Sequence, residues 1–137
     1  MNTEVPKIIA IHDLSCFGRA SLTVVIPIIS AMGIQVCPVP TALLSTHTGG
    51  FETFTFMDLT RPMEEILIHW KELKLEFSAI YSGFLGSEKQ VEIVEKYIAE
   101  FKKKGTLVIV DPVMADEGEL YSTMTPKMIE KMKIPDW

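Results

Sequence analysis

Four short stretches carry the polar residues that could do chemistry: His12–Asp13, Ser45–Gly50, Ser82–Gly86 and Asp111–Asp116. The sharpest is "VIVDPVMAD", residues 108–116, where an apolar β-branched run ends on Asp111 and Asp116 comes soon after. A carboxylate that closes a buried strand is costly unless it is paired or bound to a cation. Two carboxylates on one tight loop suit a hard divalent ion. Magnesium takes one or two carboxylates, directly or through water, and completes its shell with phosphate oxygens. Phosphoryl transfer rests mostly on positioning and on charge neutralisation of that kind.

The other three stretches are weaker taken singly. His12 reads equally as a satisfied, half-buried histidine or as a site residue. Asp13 reads as a site residue or as the cap of the next helix. Gly49 and Gly50 serve a turn in most settings. Their weight comes from position, and position depends on the elements that carry them.

Those elements alternate. "KIIAIH" (7–12) is a short β-branched run that predicts a buried strand. A helix is expected over 18–32, kinked at Pro27 and closed by Gly33. "IQVCPV" (34–39) is a second strand, and residues 40–51 a polar, glycine-bearing loop. Pro62 suits the first turn of the next helix, which places Met63, Ile66, Leu67, Trp70 and Leu73 on one face. "SAIYS" (78–82) is a strand and "GFLGS" a turn. Ser87 with Gln90 forms a capping box for a helix that buries Val91, Val94, Ile98 and Phe101 and exposes Glu88, Glu92, Glu95, Lys96 and Lys103. "TLVIVD" (106–111) is the clearest strand, Thr125–Pro126 opens a last helix, and "KIPDW" reads as the approach to another strand.

Strand and helix in alternation predict an α/β fold with a largely parallel sheet flanked by helices. Ligands of such sheets collect outside the carboxyl ends of the strands. All four polar stretches fall at strand ends, on one edge of one sheet. Together they outweigh any one of them.

Composition narrows the function. The chain has 137 residues, enough for a single core, and is 47% hydrophobic, with a mean hydropathy of +0.24. A parallel sheet buried on both faces, or a piece with an uncovered face, gives such figures. A net charge of −5 argues against nucleic acid, whose binders carry basic stripes. No apolar run approaches the roughly 18 residues of a membrane span. "MNTEVPK" lacks the charged and then apolar signature of a signal peptide. Cys16 and Cys37 make neither a disulfide framework nor a metal-ligand pattern, which suits reduced thiols in cytoplasm. There is no G-x-x-x-x-G-K-[ST] loop and no G-x-G-x-x-G after the first strand. Cys16 has no evident base, and zinc-protease histidine spacings are absent.

These stretches together resemble a family. Residues 8–49, "YSGFLGS" and "VIVDPVMAD" are similar to the first half of pyridoxal (pyridoxamine) kinases of the ribokinase-like superfamily, from about Lys7 to the end. The S-x-H-T loop at 45–48, the turn at 82–87 and D-P-V-M-x-D at 111–116 are its most specific elements. The resemblance implies a Rossmann-type ribokinase-like domain, with residues 1–137 as its N-terminal half. It implies ATP-dependent phosphorylation of the 5′-hydroxymethyl group of pyridoxal, pyridoxamine or pyridoxine. ATP and Mg2+ are the implied cofactors, with a K+ requirement left open, and a homodimer is the implied state at full length.

Residue by residue, it places Asp13, Leu44, Ser45, His47, Thr48, Gly49 and Phe84 against the vitamer and Asp111 and Asp116 near the ATP phosphates and metal. Asp13 stands where many of these kinases have a serine, Phe84 where a tyrosine is frequent, and Leu44 where an aromatic is frequent. The glycine-rich G-[ST]-G-D turn, which cradles the transferring phosphoryl group and supplies the base, does not occur in the sequence. No catalytic residue is therefore expected in this chain, and an incomplete kinase inactive by itself is the reading. A hydroxymethylpyrimidine or sugar kinase, and a B6-binding protein without catalysis, are the alternatives.

Overall fold

The computed structural model describes residues 4–133. The elements run β1 (Lys7–Ser15), α1 (Leu22–Ala31), β2 (Gln35–Leu44), β3 (Phe56–Asp58), α2 (Thr60–Glu72), β4 (Ala79–Ser82), α3 (Glu88–Phe101), β5 (Leu107–Val110), β6 (Ala115–Asp116), β7 (Glu119–Leu120) and α4 (Pro126–Met132). Five strands form one sheet in the order β3-β2-β1-β4-β5. Its pairs are parallel except β2 with β3. The largely parallel α/β sheet expected from the alternation is what forms. Most of "KIPDW" lies outside the described residues. No helix among the described residues is long and apolar enough to cross a membrane.

The main core lies on one face of the sheet. Ile9, Ile11, Val39 and Ile80 meet Met63 and Leu67 of α2 and Val91, Val94, Tyr97, Ile98 and Phe101 of α3. The inward residues expected on α3 are all buried. Tyr97 donates its hydroxyl to the Met63 carbonyl at 2.8 Å, so the polar tip carried into the core is satisfied. On the outer side of α3, Glu88 and Glu92 pair with Lys127 and Lys131 and hold α4 in place. Leu73 departs from the expected α2 face: it stands at the helix end and is 54% exposed.

The expected helix over 18–32 starts later, at Leu22. Gly18 (φ 121°) and Ser21 (φ 54°) are left-handed, so residues 18–21 make a loop rather than a first turn. The Gly33 closure holds, at φ 80° with its N–H donated to Ser30. Residues 40–44, expected as loop, continue β2. Both prolines of the strand are accommodated: Gln35 donates its N–H to Pro6, beyond the start of β1. Residues in phase with Gln35 thus face β1, and Pro38 and Pro40 turn their nitrogens to the opposite flank, where β3 pairs only with Ala42–Leu44.

The expected capping box is half formed. Ser87 accepts the Gln90 N–H, but Gln90 does not reach back to Ser87. Its carbonyl takes the Gly86 N–H at 2.8 Å, and its amide donates to the Thr41 carbonyl at 2.8 Å and to Thr60 Oγ1 at 3.1 Å. Fully buried, Gln90 ties β2, α2 and the turn after β4 together.

β5 also differs from expectation. It is the edge strand, with Leu107 57% and Ile109 41% exposed, so Asp111 closes a half-exposed strand and is itself exposed. Burial therefore gives no reason for its charge to need a partner. What speaks for Asp111 is its place.

Candidate functional site

The carboxyl ends of β1, β2, β4 and β5 frame a cleft of about 660 Å³. All four polar stretches contribute to its lining. Of the expected site residues, Asp13, Leu44, His47, Thr48, Gly49, Phe84, Asp111 and Asp116 line it. Ser45 does not. Its hydroxyl accepts the Thr55 N–H at 2.8 Å and its N–H reaches the Thr55 carbonyl at 3.2 Å, so it fastens the loop to the segment before β3.

Asp13 is 7% exposed and accepts hydrogen bonds from Ser15 at 3.0 Å and from Ser21. It bonds no amide of the next helix, and α1 begins without a side-chain cap. The capping reading of Asp13 is thereby replaced: the carboxylate instead secures Ser21, the left-handed residue that turns the chain into α1. Satisfied by two hydroxyls, it still keeps lone pairs for a donor on a ligand.

His47 is gripped by two glycines. Its Nδ1 accepts the Gly49 N–H at 2.9 Å, and its own N–H reaches the Phe17 carbonyl at 2.9 Å. A Cβ on Gly49 would lie 2.6 Å from the ring, and one on Gly18 3.0 Å from the His47 Cβ. Gly49 therefore does more than serve a turn. With Nδ1 accepting, the neutral ring carries its proton on Nε2.

Phe84 is held by Thr41, whose hydroxyl donates to the Phe84 carbonyl at 3.0 Å, and its ring meets Tyr121 edge-on at 6.3 Å. Tyr121 stands just after the β6–β7 hairpin, which folds over the acidic loop through Tyr121 N–H to Met114. Glu117 and Gly118, both at positive φ, make its two-residue turn. Residues 111–116 thus lead into a hairpin rather than forming a bare loop. Sequence reading missed Tyr121, Tyr81 and Arg19, which also line the cleft. The Glu-Gly pair was the available signal for the hairpin.

The cleft is acidic. Asp13, Asp111, Asp116 and Glu119 face Arg19, the one Arg or Lys among its described lining residues. Burial raises the Tyr121 pKa, and the charges of Asp116, Asp13 and Asp111 raise it further. Burial with a contribution from Asp111 does the same to Tyr81. No group of three or more His, Cys, Asp or Glu side chains that could hold a metal occurs among the described residues. Two exposed carboxylates on one cleft wall do fit an ion that takes its remaining ligands from water and phosphate, which is the habit of magnesium.

Burial drives the His12 pKa down to about 4, against the opposing pull of Asp13 and Asp111. The folded chain thus binds the proton less readily than the unfolded one, whose histidine titrates near 6.5. The His12 contribution to stability is whole above pH 6.5 and is lost as pH falls to and through 4. The loss is on the order of 3 kcal/mol at its acid limit. Thermal melts between pH 7.5 and 4 should show this decline, and His12→Phe should flatten it; an unchanged acid limb in that variant would assign the decline to other groups.

Solved structures of other proteins share this arrangement of elements. The chain superposes with TM-score 0.90 on a Bacteroides thetaiotaomicron VPI-5482 protein assigned provisionally as a phosphomethylpyrimidine kinase and solved with pyridoxal. That match is 50% identical and covers 94% of this chain and 45% of the other. Pyridoxal kinase from Lactobacillus plantarum superposes with TM-score 0.85 at 30% identity, covering 94% of this chain and 46% of that one. The pyridoxine/pyridoxal/pyridoxamine kinase of Bordetella avium is 28% identical over 126 residues, 85% of this chain and 41% of the relative. No family model matches. The chain has a Rossmann-type, ribokinase-like fold and spans less than half the length of these proteins.

Proposed function

We propose that this chain is the substrate-binding half of an ATP-dependent kinase that phosphorylates the hydroxymethyl group of a B6 vitamer. The observation that carries this reading is convergence. The S-x-H-T loop, the 82–87 turn and the Asp111–Asp116 pair, far apart in sequence, line one cleft. They do so in a chain half identical to a protein solved with pyridoxal.

The roles come from the side chains. Leu44 and Phe84 give the aromatic ring apolar walls. His47 offers a fixed Nε2–H donor and Thr48 a hydroxyl beside it. Asp13 accepts from a donor or a cationic nitrogen. Asp111 and Asp116 would hold magnesium with the nucleotide phosphates; when bound, Mg·ATP supplies the phosphoryl group and the neutralising charge. A hydroxymethylpyrimidine substrate is the second reading, favoured by the assignment given to the Bacteroides protein.

Titration calorimetry with pyridoxine, pyridoxal and hydroxymethylpyrimidine tests the proposal. The vitamers should bind more tightly than the pyrimidine. Thr48→Ala should weaken vitamer binding about five- to tenfold, the worth of one hydrogen bond, and leave ATP binding little changed. Equal losses for both ligands, or preference for the pyrimidine, would reject the vitamer assignment of this loop.

A further inference from the structure

The vitamer and metal roles leave His12 unused, yet its surroundings lack a partner for it. It lies near the end of the buried run of the central strand, is 5% exposed and lines the cleft. Its Nε2 is sealed from solvent and finds no hydrogen-bond partner among the described residues. On one side its ring meets Tyr81 edge-on, centroids 4.4 Å apart. On the other side Nδ1 presses against Gly83, where a Cβ would lie only 2.2 Å away. Buried polar groups are nearly always paired, and an exception calls for an explanation.

A purely structural role explains it poorly. Asp13, the adjacent carboxylate, is already served by Ser15 and Ser21 and does not need the imidazole. The core gains nothing from a ring nitrogen that a phenylalanine would not supply. The backbone is nevertheless fitted to this ring, because only glycine at position 83 leaves room for it.

We infer that His12 is a ligand-binding residue of the cleft, and that its ring forms a hydrogen bond with a hydroxyl of the bound molecule. The inference rests on the small-molecule reading of the cleft under the proposed function. An uncharged imidazole has one donor and one acceptor, and a hydroxyl complements either. An anionic substituent is disfavoured beside Asp13 and Asp111, whose charges reach His12. A half-turn of the ring about its Cβ–Cγ bond exchanges the places of nitrogen and carbon, so the ring can present either to its surroundings without backbone movement.

The test uses the whole 137-residue chain, His12→Phe and His12→Gln, with melting temperature and pyridoxine affinity as readouts. His12→Phe fills the space without a nitrogen, and His12→Gln keeps a donor and an acceptor. His12→Phe should bind pyridoxine at least about tenfold more weakly, the worth of a buried hydrogen bond; His12→Gln, no larger than the imidazole, should melt close to the wild-type temperature at pH 7.5 and recover part of that affinity. A structural histidine would give the reverse: a lower melting temperature in both variants, with affinity kept. If the wild type binds pyridoxine and His12→Phe binds it equally, the inference fails and the proposed function stands. If the wild type takes up no pyridoxine, the proposed function fails and the inference falls with it.

Discussion

Residues 1–137 incubated with ATP, magnesium and pyridoxal are expected to form no pyridoxal phosphate above background. The chain holds the loop proposed to meet the substrate and two carboxylates, but no G-[ST]-G-D turn occurs in its sequence. A positioned general base contributes about 10²–10⁴ in rate. Preorganised donors aimed at developing charge add about 10²–10³ for a single contact. Without both, turnover should fall at least about 10⁴-fold below that of a kinase that has them. Arg19 alone among the described lining residues does not replace them. Chromatographic detection of the product, with vitamer binding measured on the same sample, separates inactivity from unfolding. Saturable formation of authentic pyridoxal phosphate by this chain would refute the expectation.

Among the glycines, Gly83 is where an added methyl group should meet the severest clash. The added carbon would sit 2.2 Å from His12 Nδ1 and 2.6 Å from Cε1. Neither side can retreat easily. Tyr81 stands against the imidazole, and the Gly83 N–H is committed to the Ile11 carbonyl at 2.8 Å. Overpacking of this kind costs about 1–3 kcal/mol, a drop of several degrees in melting temperature for a domain of this size. Vitamer affinity should fall with it, since the displaced ring lines the cleft. Gly83 is not at positive φ, so the alanine meets no backbone strain of its own. The double variant Gly83→Ala/His12→Ala should therefore recover much of the loss that the clash imposes, and strictly additive losses in that cycle would show that the clash is not the cause.

Much of the scaffold was legible because its signals are local. β1 declares itself as a β-branched run, α3 by its apolar spacing, and α4 by Thr125–Pro126, where Thr125 caps the helix by accepting the Met128 N–H. The gathering of four polar stretches at one end came from the parallel order of the strands. What escaped depends on distant partners. The exposure of β5 is a matter of sheet order, which its own apolar residues do not encode. Gln90 reads as a local cap, yet its bonds run to Thr41 and Thr60, across long stretches of chain. Tyr121 enters the cleft only because a two-residue turn folds the hairpin back, and β6 and β7 are too short to show alternation. Ser45 belongs to the S-x-H-T loop that carries the resemblance, and its bonds to Thr55, a long-range partner, were not legible from the loop alone.

Growth of a sheet by strand addition needs a row of free N–H and C=O groups along an edge. On the β2 flank two of those N–H groups do not exist, at Pro38 and Pro40, and the three-residue β3 pairs with the last residues of that strand. The β5 flank keeps its full row and sets Leu107 and Ile109 beside it. Open-ended polymers require two complementary edges on every unit, whereas a contact between like edges consumes both. Among the described strands β5 is the longer open edge. Two chains paired through it would leave outward only the three-residue β3 and a flank of β2 interrupted by two prolines, a poor template for further strand addition.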